Sequence, residues 1–214
     1  QEAVVQGVST RKIENVLAEF GIAGVSAGQV SQLCAALDEK VQQFRERRLG
    51  ESRYVWVDAV YEKVREDERV ESMAVVIATG VNPQGRREVL GLDVGPSEDG
   101  AFWLGFLREL VARGLKGVRL VTSDAHEGLK GAIAAVLHGA GWQRCRVHFV
   151  RNALSTVPMS AQEMVAATIR TAFVQPDAQS TREQWRRVSD SFRPRFPRLS
   201  ALMDEAEADV LAYL

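Results

Sequence analysis

Between residues 50 and 151, three β-rich runs lie back to back, and alternating helix and strand patterns follow them. The runs are RYVWVDAVYEKV, VESMAVVIATGV and RREVLGLDVG, the last two separated by the turn signal NPQG. Closely spaced β-branched and aromatic runs of this kind predict an antiparallel meander of three strands. Next come an amphipathic helix, EDGAFWLGFLRELVARG, closed by Gly114, a buried-type strand, KGVRLVTSD, a helix, EGLKGAIAAVLHGAG, and a short strand, WQRCRVH. The order β-β-β-α-β-α-β predicts a mixed sheet with helices on its faces, since parallel pairing needs a helical crossover.

The flanks read differently. Residues 1–49 are helical in pattern. Ser9 or Thr10 caps RKIENVLAEF, Gly21–Gly24 breaks it, and Ser26 caps a second helix with Val30, Leu33, Leu37, Val41 and Phe44 as a core stripe. Two helices joined by a short glycine turn outline a helix-turn-helix, with Arg45, Arg47 and Arg48 at the end of the second helix as DNA-contacting candidates. A helical hairpin that binds nothing has the same pattern. Residues 152–214 predict three more helices, punctuated by Pro158, Pro176, Pro194 and Pro197. The pattern reaches Leu214 without a cap or a polar tail, and the expectation is a truncated chain.

Several classes are excluded at the outset. The longest aliphatic run, Ala132 to Leu137, is far below the roughly 18 residues that span a bilayer. The start lacks the charged and apolar regions of a signal peptide. Two cysteines, Cys34 and Cys145, make no disulfide framework, and a reduced, cytoplasmic setting is expected. The net charge of −1 speaks against a strongly basic nucleic-acid binder. Yet 22 of the 27 basic residues are arginine, the side chain suited to bidentate phosphate contact. GC-rich coding raises arginine equally well.

Two carboxylates stand out. Asp58 sits mid-strand in YVWVDAVY, where a charge is expensive unless paired or cation-bound. Alternation puts Tyr54, Trp56, Asp58 and Val60 on one face and Val55, Val57, Ala59 and Tyr61 on the other. Neither face is polar, so a solvent-facing Asp58 is the disfavoured reading. Asp124 ends the strand VRLVTSD, where α/β sheets gather ligands. The competing role is a helix cap, with Glu127 completing a capping box. Two hard oxygen donors side by side suit Mg2+ or Mn2+ and in-line phosphoryl displacement.

Cys145 and His148 form C-x-x-H, but the chain has too few further ligands at zinc spacing for a structural zinc site. The pair is expected to brace the last strand and helix near the site. Arg144, Arg146 and Arg151 crowd this segment as phosphate contacts. His126 lies two residues after Asp124, as a site contact or a surface residue. Trp185, with Arg186 and Arg187 beside it, offers a stacking and clamping helix for nucleic acid; a core tryptophan is the competing reading. Nucleotide-binding glycine loops and the G-x-S-x-G nucleophile motif are absent.

The segments GVSTRKIENVL, YVWVDAVYEKVRE, GRREVLGLDVG, LVTSDAHEGLKGAI and WQRCRVHFVRN together resemble bacterial insertion-sequence transposases of the Mutator type, from Gly7 to Leu214. The resemblance implies a ribonuclease-H-like catalytic core over 50–151, with an Asp-Asp-Glu triad and Mg2+ or Mn2+. Asp58 matches the first Asp, Asp124 the second, and Cys145 and His148 the C-x-x-H motif. Residues 1–49 then match DNA-binding helices and 152–214 the start of a helical insertion. The family's Glu stands in an N-P-x-E-x-x-N-type motif that does not occur here. The implied activity is metal-dependent DNA cleavage and strand transfer at terminal inverted repeats. The partners are double-stranded repeat and target DNA, handled by a homodimer or larger assembly at the bacterial nucleoid. The fragment is expected to be inactive for want of its third carboxylate. A DNA-binding or dimerising product that inhibits transposition, or a ribonuclease-H-like nuclease completed by another carboxylate, are the alternatives.

Overall fold

The computed structural model describes residues 27–66 and 69–214. Two compact units, Gln1–Arg48 and Leu49–Leu214, make up the chain. In the first, helix α1 spans Ala27–Glu46. The expected helix before it, with the Gly21–Gly24 break, lies outside the described residues. Of the predicted apolar stripe on α1, Val41 is exposed rather than buried, and Phe44 is half-buried with the Arg47 guanidinium 5.1 Å from its ring.

In the second unit, β1 (Tyr54–Glu66), β2 (Arg69–Val81) and β3 (Arg87–Gly95) form an antiparallel meander. The β2–β3 turn is closed by the Asn82 side chain, whose Oδ1 accepts the Gln84 and Arg86 N–H groups at 3.1 and 3.0 Å. Gly85 turns the chain at φ +77°, a region that favours glycine. Helix α2 (Gly100–Ala112) leads to β4 (Leu120–Ser123), and α3 (Glu127–Val136) leads to β5 (Gly141–Arg144). β4 pairs parallel with β1, and β5 parallel with β4. The five strands lie in the order β3-β2-β1-β4-β5. The protein is therefore α/β with a mixed sheet.

Alternation along β1 decides the layering. Val55 and Val57 are buried, with Val76 and Ala78 of β2 beside them, against Trp103, Phe106, Leu107 and Leu110 of α2 and Ile133 of α3. Burying a large apolar side chain contributes about 1.5–3 kcal/mol, so this face sets the register. At the start of α2, the Asp99 carboxylate accepts the Phe102 N–H at 2.8 Å, and that bond holds the carboxyl below the usual carboxylate range.

The final strand is shorter than WQRCRVH predicts. β5 stops at Arg144, and α4 (Arg146–Ser155) starts two residues later. Phe149 and Ala153, four apart, are buried on one face of α4, and this helical period crosses the expected boundary between 151 and 152. Helices α5 (Met159–Arg170), α6 (Ala178–Phe192) and α7 (Pro197–Val210), with a 3-10 turn at Thr171–Val174, follow. They close with α4 on a second core, centred on Phe149, Ile169, Trp185, Leu199 and Met203. Among the described residues, no helix is long and apolar enough to cross a membrane.

A polar knot joins α6 to α7. Asp204 accepts the Ser189 hydroxyl at 2.6 Å and an Arg193 N–H at 2.9 Å. The Ser189 hydrogen bond, then Arg193, holds the Asp204 carboxyl below its usual range. Its contribution is therefore fully present above the ordinary carboxylate pKa of about 3.9 and lost as pH falls through the lower, folded value. Melting temperatures measured against pH are expected to fall on the acid side of pH ~4, and Asp204→Asn is expected to flatten part of that fall. An unchanged acid limb would remove Asp204 from the linkage.

Candidate acidic cleft at the strand ends

β4 ends at Ser123, and the backbone there is tightly tied. The buried Ser123 hydroxyl accepts the Trp142 indole N–H at 2.8 Å and donates to the Asp124 carbonyl at 2.9 Å. The Cys145 N–H donates to the Ser123 carbonyl at 2.6 Å, which joins the end of β5 to the end of β4. Asp124 is thus held just past the carboxyl end of its strand. The N-cap of α3 is His126, whose Nδ1 accepts the Leu129 N–H at 3.3 Å. Asp124 accepts only its neighbour's N–H, Ala125, at 2.7 Å. The competing cap role therefore falls to His126, and the Asp124 carboxylate projects at an exposed position.

Asp58 lies on β1, next to β4, on the face opposite the Val55–Val57 core. Its side chain is 60 % exposed, which corrects the expectation that β1 has no solvent-facing side. The Ala59 N–H donates to Asp58 Oδ1 at 3.0 Å, and His148 Nε2 stands 3.8 Å from the same oxygen. Among the described residues, the second oxygen of each aspartate has no hydrogen-bond partner.

Both aspartates line one cleft of about 220 Å³, together with Glu98, Trp103, His126, His148, Arg151 and Asn152. Helix α4 delivers His148, Arg151 and Asn152 at i, i+3 and i+4, on one face. Glu98 arrives from the turn before α2. That turn approaches α3 closely: a Cβ on Gly128 would lie 3.1 Å from the Gly100 nitrogen, so only glycine fits without a shift.

Other expected site residues lie elsewhere. Cys145 is half-buried at the N-cap of α4 and does not line the cleft. Arg144 lies over Phe149 and Arg146 over Phe173, each with its guanidinium carbon 5.4 Å from the ring centre, and both are absent from the cleft wall. Trp185 is wholly buried and has no face on which a base could stack; the core reading is the one that stands. Arg186 is gripped by both carboxylate oxygens of Glu207, at 2.8 to 3.1 Å, and that pairing raises its pKa. Arg187 donates to Gln184 at 3.3 Å. Arg45, Arg47 and Arg48 belong to the first unit and form no part of this cleft.

Two lining residues escaped the sequence reading. Asn152 follows from the helical period once His148 is on a helix. Glu98 precedes the helix cap Asp99, a local signal that places it at a helix start but not beside β1.

The donor chemistry fits Mg2+ or Mn2+, which bind through one or two carboxylates and otherwise keep waters or phosphate oxygens. Among the described residues, no three His, Cys, Asp or Glu side chains come close enough to hold one ion.

Fold and cleft together define an α/β protein with an acidic site at the carboxyl ends of adjacent strands. The family model described as "Transposase, Mutator family" matches residues 1–214, and the chain belongs to that family. It is 45 % identical over 209 residues to the transposase for insertion sequence element IS1081 of Mycobacterium tuberculosis, covering 97 % of this chain and 50 % of that protein. It is 46 % identical over 179 residues to the transposase for IS406 of Burkholderia multivorans, covering 82 % and 46 % of the two chains. It is 35 % identical over 216 residues to the transposase for IS256 in transposon Tn4001 of Staphylococcus aureus, covering 99 % and 55 %. The chain thus spans about half the length of the curated relatives it matches. Among solved structures, the HTLV-2 integrase catalytic core domain in complex with magnesium aligns with a TM-score of 0.30 at 11 % identity, over 57 % of this chain and 87 % of that one.

Proposed function

We propose that this chain carries the two-aspartate half of a DNA transposase centre, on a ribonuclease-H-like sheet. The observation that carries the reading is the single cleft shared by Asp58 and Asp124, on neighbouring strands β1 and β4. The strand order β3-β2-β1-β4-β5, with three antiparallel strands feeding parallel αβ units, supports the fold.

In this reading Asp58 and Asp124 hold Mg2+ or Mn2+ through their unpartnered oxygens. When bound, the ions activate a water or 3′-hydroxyl nucleophile and stabilise the leaving oxygen. Arg151 binds a DNA phosphate on the cleft wall, a charge-assisted contact well matched to a planar guanidinium. His148 orients Asp58. With Nδ1 accepting from Leu129, His126 is a neutral imidazole with its proton on Nε2, available as a hydrogen-bond donor. The α1 arginines Arg45, Arg47 and Arg48 contact double-stranded DNA, first at the terminal inverted repeats and then at the target. A homodimer or larger assembly in the bacterial cytoplasm acts on both ends.

A second reading is an incomplete product that binds DNA or dimerises and so inhibits transposition. What favours it is the lack, among the described residues, of a third ligand near the two aspartates. Glu98 lines the same cleft yet does not complete an ion site, which weighs against a self-sufficient nuclease. A 3′-end-joining assay with Mg2+ and terminal-repeat DNA separates the readings. Salt-dependent DNA binding with little or no joining is expected. Robust joining by these 214 residues would show the site to be complete.

A further inference from the structure

The sheet has one covered face and one open face. On the covered face, Val55, Val57, Val76 and Ala78 are at most 2 % exposed. On the other, Tyr54 and Val60 of β1, Ile77 of β2 and Val94 of β3 are 40 to 52 % exposed. Cross-strand register puts them on one surface: Asp58 pairs with Ile77 and Ile77 with Leu92, while Val60 pairs with Val75 and Val75 with Val94. An antiparallel meander tolerates a wet face when that face alternates to polar residues. This one carries β-branched apolar side chains instead, the mark of a surface built to be covered.

The open face borders the acidic cleft. A hollow of about 310 Å³ on it is lined by Trp56, Asp58, Ile77, Thr79 and Arg87, and Asp58 lines the cleft as well. The Arg87 guanidinium lies 5.2 Å from the Trp56 ring centre and forms a polar border. Across the middle of the face, Val60, Val75, Ile77 and Val94 supply no cation. That disfavours a phosphate backbone as the occupant, which needs several.

We infer that this face seats an amphipathic helix from the part of the full-length transposase that this chain does not span. The inference rests on the proposed transposase reading. The match to the IS1081 transposase covers 97 % of this chain but only 50 % of that protein, so about as much polypeptide again has no counterpart here. A helix with an apolar stripe is the usual partner of such a face, and it would wall the cleft on the Asp58 side.

The test mixes the 214-residue chain with a purified polypeptide comprising the half of the Mycobacterium tuberculosis IS1081 transposase that the chain does not match. Binding is followed by calorimetry. Native chain is expected to bind. Val60→Glu and Ile77→Lys are expected to weaken binding by about tenfold or more, because each would bury a charge. Met159→Glu, at a position 87 % exposed on α5, is expected to bind as native. Unchanged circular dichroism and unfolding midpoints certify the variants. Three results would overturn the inference. One is no binding by native chain. Another is native-like binding by both face variants. The last is a native dimer by light scattering that both variants convert to monomer, which would give the face to a second copy. Mn2+ affinity measured on the same samples reports separately on the Asp58–Asp124 reading, so its failure is told apart from failure of the docking face.

Discussion

Trp185→Ala is expected to destabilise the helical layer by about 3–5 kcal/mol, the usual cost of emptying a large aromatic site. Trp185 is wholly buried, its ring 5.2 Å from Phe149 and 5.9 Å from Phe173, and its indole N–H donates to the Met203 carbonyl at 3.0 Å. Alanine removes the aromatic contacts and leaves that buried carbonyl without its donor, two losses that add. Because α4 is part of this core and also carries His148 and Arg151, the damage extends to the cleft wall. Denaturant unfolding followed by far-ultraviolet circular dichroism measures the cost. Trp185→Phe keeps a ring in place and is expected to cost less, with DNA affinity unaltered. A Trp185→Ala chain within about 1 kcal/mol of native would show that the layer repacks around the gap.

The second large effect concerns metal. Asp58→Ala and Asp124→Ala are each expected to lower Mn2+ affinity by about tenfold or more, equivalent to at least 1.4 kcal/mol. Each removes one of only two well-placed carboxylates, and neither aspartate is buried, so folding should survive. Glu98→Gln is expected to move the affinity less, because Glu98 lines the cleft without joining an ion-binding group. Calorimetric titration with Mn2+ decides the matter. Unchanged affinity in both aspartate variants would dissolve the paired site. A larger loss in Glu98→Gln than in either would move the centre toward α2.

Where the sequence reading misled, nearest neighbours were the cause. The run WQRCRVH is β-like residue by residue, yet only Gly141–Arg144 pairs with β4, and the burial of Phe149 and Ala153 pulls the rest into a helix. Trp185 among arginines reads like a nucleic-acid clamp until the second core claims the ring. Arg186 reads as a free cation until α7 supplies Glu207. Asp124 reads as a helix cap as readily as a ligand, and it is His126 that takes the cap.

The sequence by itself determined the order of the strands and helices and the two faces of β1, because period-two and helical patterns are written among residues a few positions apart. It also marked Asp58 and Asp124 as costly or end-placed carboxylates. Only the tertiary structure decided that β4 pairs parallel beside β1, which brings residues 66 positions apart to one cleft. It alone added Glu98 and Asn152, withdrew Trp185 and Arg186, and left the Tyr54–Val60–Ile77 face open. Those outcomes depend on long-range register and packing, and a side chain's partners across a sheet leave no trace in its immediate neighbours.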